Sequence, residues 1–207
     1  MAGKPQNIIF DLGNVIVDID EARTFRALSD YLGEPGTGRI PSVLISIIHA
    51  YEQGFIQTPE FLNEILLHMP PGLSKEHLIQ AWNAMLIDIP QHRLEMIKQL
   101  RGSYGVYILS NTNELHLEWV NHFLNQNYQM SCFDDIVDFA LYSHHAQSRK
   151  PQAEIYHELL KRARISAESA VFFDDKPENV AAAKLAGIDA HLSPANIDIS
   201  TQCAVFL

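Results

Sequence analysis

The sequence predicts an α/β protein: a Rossmann-like, doubly wound parallel sheet with a small helical insert after its first strand. Three observations lead there. Short apolar runs rich in β-branched and aromatic residues recur along the chain at the length of buried strands. From residue 90 onward these runs alternate with helical patterns, which is the signature of a parallel sheet. Residues 21 to 88 instead carry helical periodicity broken by turns. The expected division is an α/β core made of 1–20 and 89–207, with 21–88 as the inserted unit.

The first strand is "NIIFD" (7–11), three apolar residues running into Asp11. In the insert, "GEPGTGRIP" (33–41) and "MPPG" (69–72) read as turns between helices. "TPEFLNEILLHM" (58–69) offers Thr58 as N-cap, Pro59 at the first helical position, and Phe61, Leu62, Ile65 and Leu66 as an apolar stripe. "SKEHLIQAWNAML" (74–86) repeats the helical period. Trp82 and Phe61 are read as core of the insert rather than as a substrate platform. "PQHRLEMIKQLR" (90–101) puts Leu94, Ile97 and Leu100 on one face. Strands follow at "GVYILSN" (105–111) and "IVDFALYS" (136–143). A helix over 151–164 starts with Pro151 and carries Ile155, Leu159 and Leu160 at helical spacing. "SAVFFDD" (169–175) is a further strand, "KPENVAAAKLAG" (176–187) a helix with Pro177 at its start and Gly187 at its stop, and "GIDAHL" (187–192) the last strand.

At 207 residues, with 47% apolar and 19% charged side chains, the chain has the composition of a globular protein with a substantial core. No apolar run approaches the ~20 residues of a membrane span. The start of the chain lacks the order of a signal peptide, so a cytoplasmic location is expected. Cys132 and Cys203 alone argue against a disulfide framework or a cysteine metal site. His144–His145 cannot both face one metal from an extended strand. A formal charge of −10 disfavours nucleic acid or an anionic membrane as partner, leaving a small molecule bound by a monomer or homodimer.

In open α/β sheets ligands bind beyond the carboxyl ends of the strands. Three predicted strand ends carry reactive groups: Asp11, Ser110 with Asn111, and Asp174 with Asp175; Lys150 lies between the last two. Singly, each has an ordinary explanation. A carboxylate after a strand is usually a turn or cap residue, a Ser-Asn-Thr run a polar turn, and a lysine before proline a solvated side chain. Two adjacent acids are harder to dismiss, because like charges at close range need a cation or a proton to coexist.

Together and in this order, "FDLGNV", "LSNT", "RKP" and "FFDD" resemble the four motifs of the haloacid dehalogenase-like (HAD) hydrolase superfamily. The longer wordings "FDLGNVIVDID", "LSNTN", "RKPQAEIY" and "VFFDDKPEN" look most similar to its bacterial sugar-phosphate phosphatases of the α-glucose-1-phosphatase kind. The resemblance covers the sheet scaffold, and residues 21–88 stand where that superfamily carries a small helical cap. It implies a Mg²⁺-dependent phosphatase in which Asp11 attacks phosphorus and forms an aspartyl-phosphate. It further implies that Asp11, Asp175 and the Gly13 carbonyl hold Mg²⁺, with Asp174 joining directly or through water. Ser110 and the Asn111 amide are then phosphate donors, and Lys150 neutralises the phosphate and orients Asp11.

The resemblance departs at one place. Most phosphatases of the superfamily carry an acid two residues after the nucleophile as proton donor; here that residue is Gly13. Glycine keeps the carbonyl but loses the proton relay, which is typically worth ~10²–10⁴-fold. An acidic leaving oxygen softens that loss, so a sugar-1-phosphate fits better than a sugar-6-phosphate. Asp18 and Asp20 are substitute donors by position, but helix entry and solvated caps are the commoner roles of such acids. Two other functions stay open: a metal-free dehalogenase-type C–X hydrolase, and a non-catalytic binding protein of the same fold. The "LGNV" after Asp11 speaks against the first, and five retained site residues against the second.

Overall fold

The computed structural model describes residues 5–33 and 40–207. Five parallel strands make the main sheet: β1 (Asn7–Phe10), β4 (Gly105–Ser110), β5 (Phe139–Tyr142), β6 (Ala170–Asp174) and β7 (Asp189–Leu192). Their order is β5-β4-β1-β6-β7, so the first strand is central and the chain winds outward from it in both directions. Phe10 stands level with Ile108 of β4 and with Phe173 of β6. This register brings the carboxyl ends of the three central strands to one edge.

Alternation along the strands explains the two faces. Ile8, Phe10, Val106, Ile108, Val171 and Phe173 pack into one core with α5 (Gln91–Leu100) and α6 (Glu114–Tyr128). Ile9, Tyr107, Leu109 and Phe172 pack into a second core with α8 (Ala153–Ala163) and α9 (Pro177–Leu185). Because both faces are covered, the strands read as continuous apolar runs.

Helices α1 (Glu21–Tyr31), α2 (Ser42–Glu52), α3 (Thr58–Leu67) and α4 (Lys75–Asn83) surround a third core that includes Leu44, Tyr51, Phe61 and Trp82. The chain leaves the sheet through β2 (Asp18–Ile19) and returns through β3 (Leu86–Asp88), which pair antiparallel as a two-stranded ribbon. No sequence signal marks this ribbon, because two or three residues are too few for a strand pattern.

Several local expectations change. Thr58 is not a cap: Gln57 stands at that position, and the Thr58 hydroxyl bonds instead with Tyr51 and Glu114. The strand expected over 136–143 is shorter, since Ile136 and Val137 are buried in a turn after Phe133–Asp135 and Ser143 starts the four-residue helix α7 (Ser143–Ala146). His144 and His145 therefore lie on a helix, not an extended strand, and neither joins a cluster of metal-ligating groups among the described residues. Gly187 sits after α9 at φ +86°, a left-handed stop that glycine adopts readily. Of the turn expected over 33–41, residues 34–39 lie outside the described residues. No helix among the described residues is long and apolar enough to cross a membrane.

Asp198 ties the C-terminal helix α10 (Ile199–Cys203) to α5. It caps that helix through the Ser200 N–H and accepts from Arg93 Nε at 2.9 Å and from His92, while Arg93 continues to Asp18 at 2.7 Å. Burial works against its charge, but the hydrogen bonds of Ser200, His92 and Arg93 prevail and hold the carboxyl below its ordinary value of 3.8. A depressed folded-state pKa contributes stability above the unfolded value and loses it below. Asp198→Ala is expected to cost ~1–2 kcal/mol at pH 7. Denaturant titration should show the gap to wild type closing as the pH falls below 3.8; a gap unchanged at pH 3 would show that the charge contributes nothing.

Candidate active site

The residues singled out at the predicted strand ends meet in one place. Asp11 follows β1 directly, with its N–H on the Phe173 carbonyl of β6 at 2.9 Å. Ser110 ends β4, Asp174 ends β6, and Asp175 follows it. Ligand oxygens of Asp11, Asp174 and Asp175 all lie within 4.8 Å of one another.

Lys150 is the centre of charge. Only 1% exposed, its ammonium contacts Asp11 Oδ1 at 2.7 Å and Asp174 Oδ2 at 2.6 Å and donates to the Leu109 carbonyl at 2.8 Å. Its loop is fixed by Asn111 in both directions: the Lys150 N–H donates to Asn111 Oδ1 at 2.8 Å, and Asn111 Nδ2 donates to the Lys150 carbonyl at 2.9 Å. Asn111 thus positions Lys150 through its side chain. Burial alone would strip the lysine of its proton, but the two carboxylates outweigh it and raise its pKa.

The two adjacent acids are not equivalent. Asp174 is fully buried and both oxygens are engaged: Oδ1 accepts from the Lys176 N–H and Asn179 Nδ2, Oδ2 from Lys150 and Asn179. Asp175 accepts one bond, from Asn14 Nδ2 to Oδ2 at 3.0 Å; its Oδ1 is buried with no hydrogen-bond partner. A buried carboxylate oxygen without a donor is costly unless a cation takes its place. Burial raises the Asp175 pKa against the Asn14 bond, and burial drives Asp11 up to about 7 against the pull of Lys150, with Asp174 and Asp175 adding repulsion. One lysine does not satisfy three acids. The set of hard oxygen donors fits a divalent cation such as Mg²⁺.

Asn14 was not anticipated. It stands at φ +57°, a left-handed geometry that asparagine tolerates, in the tight loop of residues 12–17. The Gly-Asn pair straight after a strand was the available signal. Gly13 itself has room for a side chain only if Ile19 yields, since a Cβ there would stand 2.8 Å from Ile19 Cδ1. Asp20 caps α1, and Asp18 is held by Arg93, so both candidate substitutes for a proton donor are engaged elsewhere.

Between the strand ends and α1–α4 lies a cavity of about 640 Å³. Gly13, Ser110 and Asn111 line its sheet side; His49, Glu52, Phe25 and Trp82 are contributed by the helices. Trp82, read as core, is both: it is buried in the third core and lines this cavity.

Comparison with known proteins agrees with this geometry. The pattern of the haloacid dehalogenase-like hydrolases matches residues 5–187. A D-ribitol-5-phosphate phosphatase of Bacteroides thetaiotaomicron is 27% identical over 205 residues, 98% of each chain. A sesquiterpene phosphatase of Aspergillus oryzae is 32% identical over 108 residues, 47% of each chain. The crystal structure of a HAD family enzyme from B. thetaiotaomicron in complex with magnesium and inorganic phosphate superposes with a TM-score of 0.84 at 28% identity, covering 96% of this chain and 98% of that one.

Proposed function

The chain belongs to the haloacid dehalogenase-like hydrolase family, and from that premise we propose that it is a Mg²⁺-dependent phosphatase of a small phosphorylated metabolite, a sugar phosphate such as a sugar-1-phosphate. The observation that carries the reading is the orphaned Asp175 oxygen beside two further carboxylates and a buried lysine. A metal-free carbon–halogen hydrolysis brings no cation to balance three converging acids. Likeness to a phosphatase over the whole chain, and to a structure that contains magnesium and phosphate, supports the same choice.

In this reading Asp11 attacks phosphorus and becomes an aspartyl-phosphate. Lys150 favours the ionised form of Asp11 and aims it while balancing the charge that gathers on the phosphate. Ser110 and the Asn111 main-chain N–H donate to its oxygens. A divalent cation neutralises those oxygens when bound, and Asp11, Asp175 and the Gly13 carbonyl are the groups of this chain that would hold it. Asp174 supports the site through Lys150, Asn179 and the Lys176 N–H. Helices α1–α4, residues 21–88 in round numbers, act as the cap that shelters the reaction from water and meets the leaving group.

An anomeric leaving oxygen needs less protonation than an ordinary alcohol, which is the case for a sugar-1-phosphate where position 13 is glycine. The apolar part of the cavity, with Phe25, Ile45, Ile48 and Leu86, favours a second reading: a monoester whose alcohol carries an apolar body. The likeness to a sesquiterpene phosphatase points the same way.

Hydrolysis of p-nitrophenyl phosphate in Mg²⁺, abolished by EDTA and restored by excess Mg²⁺, is the expected result. Turnover that survives EDTA, or dechlorination of a haloacid, would remove the phosphatase reading. A panel of sugar-1-, sugar-6- and isoprenoid phosphates then ranks the substrates.

A further inference from the structure

A phosphatase that lacks an acid at position 13 must find a leaving-group proton elsewhere or do without one. Of the groups lining the cavity, Glu21, His49, Glu52, His116 and Lys176 can carry a proton. Lys176 and Glu21 are ion-paired to each other at 2.8 Å, with Glu21 near half exposed. His116 is a neutral ring held on both sides: Asn113 Nδ2 lies 3.1 Å from Nδ1, and Nε2 lies 3.3 Å from the Trp82 carbonyl. Burial drives its pKa down to about 4, so it has no proton to give. Burial and Arg149 lower that of His49 as well.

Glu52 differs from all of these. It is the last residue of α2, where the carbonyl end of the helix disfavours a negative charge. Its Oε2 is buried and accepts no hydrogen bond, though Arg149 Nη2 lies 3.3 Å away. Its backbone is held to the site. The Ser143 hydroxyl donates to the Glu52 carbonyl at 2.6 Å and accepts from the Thr112 N–H at 3.0 Å, which ties Glu52 to the loop of Ser110 and Asn111. Two residues on, Gly54 stands at φ +71° where a Cβ would collide with the His144 carbonyl, so α2 meets the core here at glycine distance. On its other side, Arg149 precedes Lys150, whose ammonium touches Asp11.

We propose that Glu52 is the proton carrier for the leaving oxygen, supplied from the cap in place of a side chain at position 13. The proposal rests on the phosphatase reading above. As an Asp11 oxygen bonds to phosphorus, the P–O bond to the alcohol oxygen breaks and its electron pair stays on that oxygen. That oxygen takes the proton of Glu52 and departs as the free alcohol. Glu52, now a carboxylate, takes a proton from the water that attacks the aspartyl-phosphate. Inorganic phosphate leaves, the Asp11 carboxylate is restored and Glu52 is protonated again. Three charged groups act on Glu52, Arg149, Lys176 and Glu21, and His49 of its own helix lines the same cavity. Burial outweighs the two cations, and the Glu52 pKa is raised above that of an ordinary glutamate. The protonated form therefore persists to higher pH, and kcat/KM for an alkyl ester should fall on the alkaline side as that proton is lost.

The test compares a sugar 6-phosphate, whose leaving oxygen is a poor one, with p-nitrophenyl phosphate, whose leaving oxygen needs no proton. Glu52→Gln is expected to lower kcat/KM, which reports phosphoryl transfer to Asp11 and not the shared hydrolysis that follows, about 10²-fold or more on the sugar ester and far less on the aryl ester. The alkaline limb should vanish with it. Residual aryl turnover shows in the same tube that the variant is folded. In the Glu52→Gln background, Gly13→Asp should recover part of the alkyl turnover, since Ile19 Cδ1 is the flexible end of a side chain and can move aside. Equal losses of kcat/KM on both esters, or a raised KM with kcat intact, would make Glu52 a binding contact and overturn the proposal. Wild-type protein that cleaves the aryl ester alone would overturn it too. Wild-type protein that cleaves neither ester would bring down the phosphatase reading and Glu52 with it.

Discussion

Asp11→Asn is expected to lose about 10⁴-fold or more in phosphate-monoester turnover while unfolding near the wild-type midpoint. The first part follows from chemistry: an amide oxygen at that position keeps the shape and loses the nucleophile. The second follows from the neighbours. Removing one member of a buried ion pair costs ~3–5 kcal/mol when the other is left uncompensated. Here Lys150 keeps Asp174 at 2.6 Å and the Leu109 carbonyl at 2.8 Å, so its charge stays matched. The substitution also removes a carboxylate whose charge is opposed by burial and by both neighbouring acids. Parallel thermal melts and p-nitrophenyl phosphate assays decide the matter. A well-folded variant that still turns over would take the covalent step away from Asp11.

Much of this site could be read along the chain because each piece ends an apolar run. Asp11, Ser110 and Asp174 sit where a strand's hydrophobic stretch stops, and the sheet order places those stops side by side. Other parts were invisible for physical reasons. Helix α6 turns Leu115 toward the core of the helical insert and Val120 and Leu124 toward the sheet, so it shows no single apolar stripe. Its start was still marked, by Asn113 as N-cap and Glu114 in the first turn. Asn14 works through a left-handed backbone and a bond to a residue 161 positions away, which no local periodicity encodes. Glu52 belongs to the same class. Nothing in "AYEQGF" marks a buried acid; the burial is created by α7, Arg149 and the Ser110–Thr112 loop closing around it.

The pair Asp174 and Asp175 shows how far a motif falls short of a mechanism, and the two should fail in opposite ways. Asp175→Ala is expected to leave stability in metal-free buffer within about 1 kcal/mol of wild type, because it gives up one bond from Asn14 and relieves a buried oxygen that has no donor. Under the proposed ligand set its cost falls on the cation: half-maximal activity should need at least about tenfold more Mg²⁺, since only the Asp11 carboxylate and the Gly13 carbonyl would be left to hold it. Asp174→Ala removes the acceptor of Lys150, Asn179 and the Lys176 N–H at once, at a side chain with no exposure to water. A loss of about 3 kcal/mol or more in unfolding free energy is expected there, as for a buried network broken at one member. At a temperature where both variants are folded, the Asp174 variant should retain the lower Mg²⁺ requirement of the two. Denaturant titration and Mg²⁺ titration on the same preparations separate these outcomes. If instead Asp174→Ala raised the Mg²⁺ requirement more than Asp175→Ala, the direct ligand would be Asp174, and the orphaned Asp175 oxygen would need another partner.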